Sequence, residues 1–89
     1  MAYLTAANLE EADLSDADLY DSNLEGANLI GANLFNTHLS IANFDDADLR
    51  NASLEGANCS GASFCRANFE KANLKNICLS HAILGEVNF

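Results

Sequence analysis

From Leu4 to Phe89 an apolar residue recurs at every fifth position without a single slip. Eighteen such centres run through the chain: thirteen Leu, Phe44, Phe64, Phe69 and Phe89, and Cys59. Two residues before each centre stands Ala in fourteen cases, with Ser22, Thr37, Ile77 and Val87 as the exceptions. The position just before the centre is Asn nine times and Asp three times, and the two positions after it are mixed and mostly polar. A period of five suits neither common regular element. On an α-helix five residues advance by about 500°, so successive centres fall about 140° apart and smear around the cylinder. On one long strand an odd period sends alternate centres to opposite faces.

The period makes sense if each unit is one short straight piece followed by a corner. Ala and Leu are two residues apart, so an extended triplet turns both to the same side. The two mixed residues then redirect the chain and keep that side inward. Gly26, Gly31, Gly56 and Gly61 all occupy the second corner position, where a turn with positive φ favours glycine. Equal corners joining equal pieces give a solenoid with an apolar inside. One unit cannot stand alone: burying one Leu contributes about 1.5–3 kcal/mol, whereas ordering five residues costs about 5–10 kcal/mol of backbone entropy. Stability must therefore come from stacking neighbours. The Asn column before the centres suits amide bonding from coil to coil.

The pattern A-(D/N)-L-x-x, unbroken from Ala2 to Phe89, resembles that of the pentapeptide-repeat family. The resemblance implies an all-β fold, a right-handed quadrilateral β-helix with four pentapeptides per coil. Residues 1–89 then form a single domain of about four and a half coils, a rod about 22 Å tall at the usual strand spacing. Residues twenty apart share a column. Side one stacks Leu4, Leu24, Phe44, Phe64 and Leu84; side two Leu9, Leu29, Leu49, Phe69 and Phe89; side three Leu14, Leu34, Leu54 and Leu74; side four Leu19, Leu39, Cys59 and Leu79. Each pair of Phe on neighbouring coils suits aromatic stacking within a packed interior.

Charge is distributed unevenly. Residues 1–49 hold ten acidic side chains and no Lys or Arg, whereas residues 50–89 hold four basic against three acidic ones, which together give the net −9. So acidic a surface disfavours direct binding to nucleic acid, which needs basic groups on the phosphates. No apolar run approaches the roughly 18 residues of a membrane span, and the N-terminus lacks the basic start of an export signal. A cytoplasmic protein is the expectation. Cys59 is a buried centre, while Cys65 and Cys78 point outward on different sides, so three free thiols fit a reducing compartment. No nucleophile, base and orienting group converge, and His38 and His81 lack partners for a metal site. Neither catalysis, a cofactor nor a metal is expected.

What remains is a scaffold or protein-interaction module. Tyr20, Ile30, Phe35 and Ile41 are apolar residues at outward corners, a candidate contact surface for a protein partner. At the C-terminal end Ile77 and Val87 replace Ala, and Cys78 and Ile83 replace Asn. Uncovered solenoid ends expose strand edges and bare core, so a partner copy, a flanking segment or the looser last coil itself should cover them; in the first case Ile83 and Phe89 are candidates for an end-to-end homodimer. The resemblance also carries an alternative, since the family includes bacterial regulatory proteins, secreted effectors and the quinolone-resistance proteins that shield DNA gyrase by imitating DNA. In that reading Glu25, Asp45 and Asp46 are the mimic's carboxylates. The short rod, the crowding of acids at one end and the scarcity of Phe at the centres set this chain apart from that branch.

Overall fold

The computed structural model describes residues 1–89. Its architecture is a stack of twenty-residue layers. Fourteen parallel bridges join residue i to residue i+20, from Tyr3 with Asn23 to Asn68 with Asn88, always at the position before the centre. Each bridge is one residue wide, because a turn interrupts the extended run on every side before a longer strand can form. No helix is long and apolar enough to cross a membrane.

The backbone bonding repeats with the same period. Around Leu24, the centre N–H donates to the Asn43 carbonyl in the next layer at 2.7 Å, and the Gly26 N–H donates to the Asp45 carbonyl at 2.8 Å. Asn43 N–H returns to the Ser22 carbonyl at 2.9 Å, and Ala27 N–H closes the corner onto the Leu24 carbonyl at 3.0 Å. Four of the five amides in an interior unit are thereby satisfied. The fifth belongs to the first corner residue, and the Asx column serves it. In eleven units the Asn or Asp before the centre accepts that N–H through Oδ1 at 2.9–3.2 Å.

This corrects the expectation of a coil-to-coil amide ladder. Only Asn28 to Asn8 at 3.5 Å and Asn88 to Asn68 at 3.3 Å join one carboxamide to another between layers, and Asn73 donates instead to the Glu55 carboxylate at 3.2 Å. The reason is proximity: an orphan amide two residues away competes for the carboxamide oxygen more effectively than a side chain one layer distant.

Every second corner residue from Ala6 to Glu86 has positive φ, between 54° and 71°. Thirteen of these residues are not glycine, so the left-handed turn belongs to the fold and not to its glycines. Six of the thirteen are Asn or Asp, which tolerate that region best. In interior layers the closing turn bond and the bond to the next layer hold the conformation in place. Glycine at this position has a second use, which is space. A Cβ on Gly61 would lie 3.1 Å from Cγ2 of Ile41, one layer below, whereas nothing lies within 4 Å of one on Gly26, whose neighbour below is Ala6.

Inside, the centres from Leu24 to Phe69 and the Ala between them form one buried cluster. Phe44 stacks on Phe64 with centroids 4.9 Å apart and planes 11° from parallel, and Phe69 on Phe89 at 5.7 Å and 12°. Thr37 replaces an inward Ala without leaving an orphan, since its hydroxyl donates to the Leu14 carbonyl at 2.9 Å. The molecule measures 27 × 25 × 24 Å, so the stack is a block as wide as it is tall, not a rod. The centres of the outermost layers are less buried than those between them. Leu4, Leu9, Leu14, Leu19, Leu74 and Leu79 are only partly covered, and Leu84 and Phe89 are exposed.

Candidate functional site

Because the backbone, most of the Asx column and the inward residues serve the stack, the corner side chains and the exposed column positions such as Asp18 and His38 are what remain for other contacts. The four apolar corner residues are not brought to one place. Ile30 follows side two, Phe35 side three and Ile41 side four of one layer, so they face different directions around it. Tyr20 lies at the same corner as Ile41, one layer below. The Tyr20 ring leans on His38, with centroids 5.5 Å apart and planes tilted by 43°. His38 Nδ1 is 3.2 Å from the Asp18 carboxylate. Side four therefore presents Asp18, His38, Tyr20 and Ile41 as one exposed group. His38 was the member not suggested by the sequence pattern, although Asp18 is its column neighbour twenty residues earlier and could have indicated it.

Ile41 is unusual in two respects together. It is β-branched at φ 54°, and 47% of its surface is exposed. A β-branched side chain is an outlier in the left-handed region, and burial recovers little of the strain here.

The three carboxylates of the gyrase reading are unequal. Asp45 accepts the Ser63 hydroxyl and the Cys65 N–H, the latter at 2.9 Å. It does from the layer below what an Asn at position 63 would do locally. Asp46 forms a two-pronged pair with Arg66, Nε to Oδ1 at 2.8 Å and Nη2 to Oδ2 at 3.1 Å. The guanidinium holds the Asp46 carboxyl below its ordinary range, and the carboxylate in turn raises Arg66. Only Glu25 carries a free, exposed carboxylate. Asp48 is likewise held down by Arg50, whose Nη2 reaches Oδ2 at 2.6 Å.

At the C-terminal end Ile83 projects from side one while its N–H bonds to the Ala62 carbonyl at 2.9 Å. Phe89 covers Phe69 with one ring face and leaves 66% of its own surface bare. Cys59 is buried, Cys65 half-buried and Cys78 exposed, all unpaired. Burial pushes the Cys59 thiol up to about 12. No three His, Cys, Asp or Glu side chains converge as metal ligands, and the surface has no pocket.

Comparison with known proteins adds the following. The family described as pentapeptide repeats matches residues 2–40 and 42–81, in eight copies. A pentapeptide repeat protein of the Arabidopsis thaliana thylakoid lumen is 29% identical, with a TM-score of 0.88 over 91% of this chain and 57% of its own. One from Nostoc PCC 7120 is 35% identical, with a TM-score of 0.83 over 84% of this chain and 62% of its own. HetL, a pentapeptide repeat protein involved in heterocyst differentiation regulation in Nostoc sp. strain PCC 7120, is 32% identical, with a TM-score of 0.70 over 98% and 46%. The chain thus spans less than two thirds of the length of each. No curated protein sequence matches it.

Proposed function

The chain belongs to the pentapeptide-repeat family, and on that premise we propose that it is a non-catalytic scaffold that binds another protein through its outer corners. The proposal takes the family's right-handed quadrilateral β-helix as the frame, with about four and a half coils at four units each. It also places the protein in a reducing compartment such as the cytoplasm, where its three unpaired thiols persist.

The observation that carries the reading is Ile41. A strained, β-branched and half-exposed residue contributes little to the fold, and backbone strain of this kind clusters where a surface is used. Tyr20 beside it supplies an amphipathic aromatic of the type enriched at contact sites. The reading of a DNA-gyrase mimic has less support, because Asp45 and Asp46 are turned to partners within the chain and Glu25 alone stands free. Protection of gyrase supercoiling from a quinolone, abolished by Asp45→Lys with Asp46→Lys, would revive it.

A photo-crosslinking side chain at position 41, compared with the same side chain at position 51, tests the scaffold reading in the native host. Position 51 is an equivalent left-handed corner on another side. One discrete adduct at 41, lost with Tyr20→Ala and absent at 51, is the expected result. Equal labelling at both positions, or none at 41, overturns it.

A further inference from the structure

Side four differs from the other three sides in charge. Above its lowest layer it carries no Asp, Glu, Lys or Arg, since residues 38–41, 58–61 and 78–81 contain none. At the same heights side one carries Asp46 and Arg66, side two Asp48 and Arg50, and side three Glu55 and Lys75. Side four also holds both Tyr20 and Ile41, each about half exposed. Its acids, Asp18 and Asp21, lie in the lowest layer, and His81 lies three layers above Asp21 at the same corner.

From this we infer that two copies of the chain pair laterally through side four, antiparallel, about a twofold axis that crosses the side between the layers of Ile41 and Gly61. The inference rests on the reading of this surface as a contact site and identifies its partner as a second copy. An axis across the stack sets each column against itself and reverses the order of the layers. Position 21 then faces position 81 of the other copy, 41 faces 61, 40 faces 60 and 38 faces 58.

Each of these meetings is complementary. Asp21 faces His81, whose ring N–H donates to the carboxylate, and the symmetry makes the contact twice. Ile41 leans toward the layer above, its Cγ2 lying 3.1 Å from where a Cβ on Gly61 would stand. The two Ile41 side chains therefore meet at the axis, over the space that Gly61 leaves. Ser40 and Ser60 face each other, and each hydroxyl both donates and accepts. His38 keeps Nδ1 on the Asp18 carboxylate at 3.2 Å, so its Nε2 accepts from the Asn58 carboxamide opposite, whose Oδ1 already holds the Ser60 N–H. At the edge shared with side three, Asp16 faces Asn76, so no like charges meet there either.

Other lateral pairings of two copies fail on charge. With the stacks parallel, the axis runs along side four and folds each layer onto itself, so Asp18 and Asp21 of one copy confront Asp21 and Asp18 of the other. The antiparallel contact at the same height sets Glu25 against Asp45 on side one and Glu10 against Glu70 on side two. On side three it lays Phe35 over the Glu55 carboxylate, which desolvation penalises. A side of a block 27 × 25 × 24 Å covers about 600 Å² in each copy, below the roughly 800 Å² of a standard stable interface. The pairing is therefore weak and reversible, and being isologous it closes at two copies.

Sedimentation equilibrium tests it. The average mass of the 9.5 kDa chain is expected to rise with concentration to that of a dimer and stop there. Ile41→Asp and His81→Asp are expected to be monomeric at concentrations where the unaltered chain and Asn51→Asp are dimeric, and Asp21→His combined with His81→Asp to recover the dimer. Positions 21, 41 and 81 are all left-handed corners, which already hold Asp at 21 and His at 81, and Asp suits that backbone better than Ile does. Loss of the dimer is then not loss of the fold. A strict monomer at millimolar concentration, growth past the dimer, or a dimer that survives Ile41→Asp overturns the inference. The photo-crosslinker at position 41 separates this pairing from the broader corner reading. An adduct of two chains supports both. An adduct with a different protein, from a chain that stays monomeric, overturns the pairing alone, and no adduct at 41 overturns both.

Discussion

Gly61→Ala separates the two demands made on a corner glycine, conformation and space. The backbone at Gly61 has φ +71° and at Gly26 φ +66°, so alanine meets nearly the same conformational penalty at both. That penalty is about 1–2 kcal/mol for a residue with a Cβ, offset by about 0.4–1 kcal/mol because alanine restricts the unfolded chain. Gly26→Ala is thus expected to destabilise by about 1 kcal/mol. At Gly61 the new methyl lies 3.1 Å from Cγ2 of Ile41. A β-branched side chain held at positive φ has little freedom to retreat, and the crowding adds about 1 kcal/mol or more. Gly31 provides a contrasting control. Its added Cβ would lie 2.7 Å from Glu11 Oε1, the mobile end of a long exposed side chain that swings away at little cost.

Urea unfolding of the three variants reads the free energies, and thermal unfolding reads them as midpoints. At about 4–8 °C per kcal/mol for a domain of this size, Gly26→Ala and Gly31→Ala fall together and Gly61→Ala falls about twice as far. In an Ile41→Ala background the excess at Gly61 disappears, so the double-mutant cycle returns a coupling of about 1 kcal/mol. If Gly61→Ala is no worse than Gly26→Ala, or if the coupling is zero, the reading of this column as one that makes room for the residue below is wrong.

Three further outcomes follow from the same structure. Asn58→Ala removes the acceptor for Ser60 N–H at 3.1 Å and should cost about 1 kcal/mol in urea unfolding, whereas Asn58→Asp keeps the acceptor and should cost much less at neutral pH. The carboxyls of Asp13, Asp46 and Asp48 are held below their ordinary range, Asp13 by bonds from Ser15 and the other two by arginines. Their contribution is therefore complete above the ordinary carboxylate range and lost as pH falls through the lowered folded values. Unfolding midpoints should drop below about pH 4, and Arg66→Gln should flatten the Asp46 part of that drop. Thiol labelling followed by mass spectrometry should modify Cys78 first, Cys65 more slowly and Cys59 only on unfolding, because Cys59 is both buried and kept protonated.

The repeat alone was sufficient for the inward half of this molecule. Alternation within a triplet decides which side chains point inward, and an unbroken register of five carries that choice to every layer. The Leu columns, the Phe44–Phe64 and Phe69–Phe89 stacks and the burial of Cys59 were therefore all legible. The outward half was decided by tertiary structure. Whether Asn58 bonds to its own corner or to the next layer depends on which unsatisfied amide lies within reach, and the local one wins. Whether Asp45 faces solvent depends on Ser63, eighteen residues on, lacking a carboxamide of its own. Inward placement follows from short-range periodicity, whereas the capping of corner amides and the ion pairs between layers depend on distances that only the stacked coil brings about.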